Sequence, residues 1–167
     1  GSTTVSDVFD GSLAISSRFS INSGVSACWR FLRLVWLTNS FSYDPPDFYQ
    51  RVEPHMPAII AFWHGRRKAP FQHYVFMLNA VEDGYGGLEH RASTALICSR
   101  KDLPRQGRPL NPDAYTTLLG LISHEYFHTW NVKRLKPVAF DPYELSRENP
   151  TRMLWFFEGF TSYYDDQ

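Results

Sequence analysis

The 167-residue chain lacks a charge excess, is poor in cysteine and contains no long apolar run. Its 17 basic side chains balance its 17 acidic ones. That balance excludes a strong polyelectrolyte partner and leaves no basic stripe for nucleic acid. The two cysteines, Cys28 and Cys98, have no C-x-x-C spacing, which argues against a thiolate metal site. They read as buried thiols, with a single disulfide left open. The longest apolar stretch, residues 31–37, is interrupted by Arg33. It falls far short of the roughly 20 residues needed to cross a bilayer, so no membrane partner is expected. No secretion signal is visible, which favours the cytoplasm. Gly1-Ser2 reads as a cleavage scar, so the natural N-terminus is expected upstream.

What the chain does contain is apolar and aromatic material for a core, 43% and 16% of its residues. The length suits one domain or part of a larger one. Residues 3–25 read as loop and short strand, and 31–41 as a strand. Asp44-Pro45-Pro46-Asp47 is strong punctuation, with Asp47 able to cap a helix. That helix is expected within 48–63, started by Pro54 or Pro57. Residues 72–81 and 93–99 read as strands, separated by a glycine-rich turn at 83–87. Residues 100–110 read as loop. Asn111-Pro112 is an N-cap with proline in the first turn, and predicts a helix to about Trp130. Pro137 and Pro142 enforce a further loop. Asn149-Pro150 repeats the cap signal and predicts a second helix over 151–166. Strands before helices argue for an α+β fold, with a strand-rich part at 3–100 and helices at 101–167.

The chemistry is concentrated in His124-Glu125-Tyr126-Phe127-His128. Two histidines four apart on a helix share a face, with Cβ atoms about 5–6 Å apart. Both imidazoles then reach one Zn²⁺. Glu125 lies about 100° round the helix from His124. It is placed to take a proton from an attacking water rather than to bind the metal. The pattern arises by chance in a chain of this composition about once in a hundred. The competing reading is an amphipathic helix that happens to carry two histidines.

A catalytic zinc site needs a third protein ligand. One class supplies glycine and histidine three and six residues after the second histidine. Here those positions are Asn131 and Arg134, so that class is excluded. Glu158, within Leu154-Trp155-Phe156-Phe157-Glu158-Gly159-Phe160, is the best candidate. A carboxylate among aromatic residues is costly unless paired or bound to a cation. The alternatives are that Glu158 reaches solvent or pairs with Arg152. Asp141, Glu144 and Glu148 are weaker candidates. Upstream, Gly86 and Gly87 permit close approach of another backbone, so a peptide can add there as a strand. Glu89 would then lie near the end of that peptide and bind its α-ammonium group. The competing reading is an ordinary hairpin turn.

Three blocks, HEYFHTWNVKRL (124–135), WFFEGFTSYYDD (155–166) and GYGGLEHRAST (84–94), closely resemble the glycyl aminopeptidase family. These are zinc metallopeptidases with a thermolysin-like catalytic domain, often followed by a PDZ domain. The resemblance covers about residues 47–167. It implies one Zn²⁺ per chain, held by His124, His128 and Glu158, with Glu125 as general base and later general acid. It also implies a peptide substrate with a free N-terminus, cut to release a small residue such as Gly or Ala. Gly86, Gly87 and Glu89 resemble the substrate-binding motif of the related aminopeptidase N family, although His90 stands where that family has asparagine. Related enzymes stabilise the reaction intermediate with a Tyr or His beyond the third ligand. Here nine residues follow Glu158, and Tyr163 and Tyr164 on the ligand helix would be unusual substitutes. The chain is therefore expected to be a partial domain or a short relative, and a zinc- or peptide-binding piece with weak or no catalysis is the alternative function.

Overall fold

The computed structural model describes residues 14–17, 32–37, 55–65, 67–105 and 107–165. Five strands form one sheet, in the order β1-β2-β3-β5-β4. They are β1 (Ala14–Ser17), β2 (Leu32–Leu37), β3 (Tyr74–Val81), β4 (Gly86–Glu89) and β5 (Ser93–Ser99). The backbones of β2, β3 and β5 run parallel, whereas β1 and β4 are antiparallel to their neighbours. Helix α1 (His55–His64) lies between β2 and β3 in the chain. A parallel pair needs a crossover of this kind, so strands and helices are less segregated than their order in the sequence suggests. The punctuation at 44–47, Cys28 and most of residues 3–54 lie outside the described residues. Cys98 is a buried free thiol.

Strand β3 alternates buried and half-buried positions, with Tyr74, Phe76, Leu78 and Ala80 facing the core. Helix α2 (Pro112–Phe127) covers that face. Asn111 caps it, accepting a 3.4 Å hydrogen bond from the Ala114 N–H, and Pro112 stands in the first turn. Leu118, Leu121 and Ile122 are buried with Tyr126, whose ring meets Tyr74 edge-on at 4.8 Å. Side chains at 118, 121, 122, 125 and 126 follow the helical repeat, so the face that enters the core also carries Glu125 inward. Among the described residues, no helix is long and apolar enough to cross a membrane.

Two details depart from the pattern read in the sequence. Helix α3 (Leu154–Tyr164) begins without a side-chain cap at Met153. Asn149 does not start it. Its amide instead ties the preceding loop, accepting from the Glu144 N–H and donating to the Glu144 and Arg147 carbonyls. Competition from local turn bonding explains why an Asn-Pro pair is an incomplete helix signal. The glycine-rich segment is also more regular than a turn. Its last two glycines open β4, an edge strand paired to β5 on one side.

Candidate metal centre

Helix α2 ends in a compact turn that orients its second histidine. The His128 ring is buried, and its Nδ1–H donates to the Asn131 carbonyl at 2.8 Å. Asn131 donates from its own side chain to the Phe157 carbonyl at 2.9 Å and to Thr161 Oγ1 at 3.0 Å. The turn is thereby fastened to α3. Between Asn131 and Lys133, Val132 has a φ of 128°. A β-branched residue in that region is strained by about 1–3 kcal/mol and persists only where its surroundings enforce it. Here the Val132 N–H bonds to Trp130 O and the Lys133 N–H to His128 O, both at 3.1 Å.

The first histidine is oriented by a carboxylate. His124 Nδ1 lies 2.6 Å from Asp165 Oδ2, a short charge-assisted contact. Ser123 Oγ donates to the Asp165 backbone carbonyl at 3.1 Å, joining the end of α3 to α2. Glu158, Thr161 and Asp165 are spaced i, i+3 and i+7, so they share one face of α3. That single face supplies a carboxylate to both imidazoles, the Asn131 contact and the orienting group for His124. Asp165 is not among the residues the sequence points to, and its seven-residue spacing from Glu158 is the one signal that marks it.

With both Nδ1 atoms donating, the neutral imidazoles present unprotonated Nε2 atoms. These lie 3.0 Å apart. Glu158 Oε2 lies 3.3 Å from His124 Nε2 and 3.4 Å from His128 Nε2. In that neutral form three acceptors converge, which is unfavourable unless a proton or a metal cation joins them. A tetrahedral ion with bonds of about 2.0–2.1 Å keeps its ligand atoms about 3.3–3.4 Å apart. The two Glu158 edges match that spacing and the imidazole edge is slightly shorter, so these three side chains can hold an ion. Glu158 reaches the imidazoles from a different setting than its neighbours suggested. Its side chain is 54% exposed, and nearby Trp155 is 68% exposed, so the aromatic residues around it in sequence do not bury it.

Glu125 lies beside the triangle. It is buried, and its Oε2 has no hydrogen-bond partner among the described residues. Burial pushes its pKa up to about 7, against the opposing pull of His128. A Cβ on Gly87 would overlap the Glu125 carboxyl group, so β4 passes this close only because residue 87 is glycine. A cavity of about 530 Å³ opens here, bordered by Tyr85, Gly86 and Gly87 on one side and by Gly120, His124 and Glu125 on the other. Glu89, at the far end of β4, is ion-paired to Lys133, with Oε1 2.9 Å from Nζ. Tyr163 is exposed and Tyr164 stacks on Phe127, and neither borders the cavity.

Residues 117–167 match the family model of the M61 glycyl aminopeptidases. The chain belongs to the glycyl aminopeptidase family. A crystal structure of an aminopeptidase N family protein from Idiomarina loihiensis is 44% identical to it, with a TM-score of 0.70. The alignment covers 81% of this chain and 22% of that one, so this glycyl aminopeptidase family chain spans about a fifth of the neighbour's length. No curated protein matches it.

In the metal-free chain the centre favours protons. Burial lowers the pKa of both imidazoles, but Glu158 outweighs it in each, helped by Asp165 at His124 and the Asn131 carbonyl at His128, and both are raised. Glu125 is raised as well. A group with a raised folded-state pKa contributes stability that is lost as pH rises through that value. The two imidazoles hold Glu158 well below the carboxylate range, so its opposite contribution is lost only in strong acid. The urea midpoint of the metal-free chain should therefore fall between about pH 5 and pH 8. Saturating zinc should remove that fall by replacing the protons.

Proposed function

We propose that the chain carries the catalytic centre of a zinc-dependent aminopeptidase that releases small N-terminal residues such as Gly or Ala. The observation that carries this reading is the close triangle of His124, His128 and Glu158 beside an unpartnered buried oxygen of Glu125. The chemistry a bound zinc supplies is Lewis acidity, which polarises the scissile carbonyl and lowers the pKa of the attacking water to about 7.

The remaining work belongs to the chain. Asp165 and the Asn131 carbonyl keep the two Nε2 lone pairs directed at the centre. Glu125, with a pKa near neutrality, takes the proton of the attacking water and passes it to the departing amine. The open edge of β4 pairs with the substrate backbone, and Gly87 lets that backbone approach Glu125. Glu89, two residues further along β4, receives the substrate's α-ammonium group. A peptide anchored there is cut after its first residue, and the remainder extends toward the cavity beside Tyr85.

A second reading, a zinc- and peptide-binding piece without turnover, is favoured by one observation. Neither tyrosine beyond Glu158 reaches the cavity, so the described residues place no phenol from α3 against a reacting carbonyl. Release of glycine from short glycyl peptides, with and without a chelator, separates the two readings.

Two substitutions test the assigned roles. Glu125→Gln should retain zinc and lose turnover by about 10²- to 10⁴-fold, measured as glycine release. Unchanged turnover would remove Glu125 from the mechanism. Asp165→Asn should weaken zinc binding by about 10- to 100-fold, measured by competition with a chromophoric chelator. An unaltered affinity would show that the 2.6 Å contact does not orient His124 toward the metal.

A further inference from the structure

The carboxylate assigned to the substrate's amino group already holds an ammonium group. Glu89 Oε1 lies 2.9 Å from Lys133 Nζ. The two side chains are only 20% and 19% exposed, so this is a partly desolvated pair rather than a passing surface contact. Lys133 Nζ also lies 5.6 Å from the centre of the Tyr143 ring, a cation–π distance. The lysine is thus held from two directions.

Its backbone is held too. Lys133 follows strained Val132, and its N–H is bonded to the His128 carbonyl. The same turn places the Asn131 carbonyl on His128. One strained residue therefore separates a group serving the metal-binding histidine from a group serving Glu89. A solvated surface lysine would need neither the strain nor the ring.

We propose that Lys133 is a built-in competitor for the amino-terminal subsite: its ammonium occupies Glu89, and an incoming free N-terminus must displace it. This rests on the reading of Glu89 as the amino-group anchor. The pair as it stands is neutral, so Glu89 exerts little long-range attraction on a cation. A peptide gains the carboxylate only by reaching it along β4 and exchanging one ammonium for another. Lys133 therefore limits affinity for free amino termini without touching the reacting atoms, and it disfavours small free amines that lack a backbone to pair with the strand.

The test is binding of triglycine and N-acetyltriglycine to the zinc-loaded Glu125→Gln protein, which binds without turnover, by calorimetry. Adding Lys133→Met keeps the apolar stem and removes the charge. Triglycine should then bind about three- to tenfold more tightly, and N-acetyltriglycine should be unchanged. Lys133→Arg, which preserves the pair, should leave both affinities near their starting values. Unaltered zinc content shows that each variant retains the fold around the centre. Preference for the free amine that persists but ignores Lys133→Met, or weaker triglycine binding in that variant, would overturn the inference alone. Equal binding of the two peptides in every variant would overturn it together with the Glu89 assignment.

Discussion

The site is organised by a conflict among acceptors. Two imidazole lone pairs and a carboxylate oxygen meet within 3.0–3.4 Å, and the donors that fix both imidazoles point away from the meeting point. Folding brings these atoms together at an electrostatic cost, which a divalent cation bound there would turn into binding free energy. Bound protons provide partial relief, which is why both imidazoles are raised in the absence of an ion.

The surrounding structure resists relaxation of that conflict. Helix α2 is anchored in the core by Leu118, Leu121, Ile122 and Tyr126, so His124 and His128 cannot withdraw together. Helix α3 is fixed to the turn after α2 through Asn131 and Thr161, and to α2 through Ser123 and Asp165. Strand β4 approaches until Gly87 touches Glu125, which keeps that carboxyl group buried and close to neutrality.

Local periodicity made part of this readable from sequence. The helix following Asn111-Pro112 and the strands near 74–81 and 93–99 depend on residues close in the chain, and their signals were strong. The juxtaposition of the two histidines follows from one helical turn. Glu158 illustrates how sequence neighbours can mislead about burial. Its aromatic neighbours suggested burial, yet the side chain is half exposed, and what brings it to the histidines is the placement of α3. Asp165 carries no sequence signal of its contact with His124, because a carboxylate at a helix end ordinarily reads as solvated. The Glu89–Lys133 pair joins residues 44 positions apart through a strained turn, and neither charge signals the other in sequence. The insertion of β5 between β3 and β4 is likewise a property of pairing partners rather than of strand propensity.

The most direct measurement is anomalous diffraction at the zinc absorption edge from crystals equilibrated with zinc. One strong peak is expected about 2.0–2.2 Å from His124 Nε2, His128 Nε2 and a Glu158 carboxylate oxygen. Absence of a peak among these atoms, or a peak on other side chains with the triangle left as it is, would contradict it.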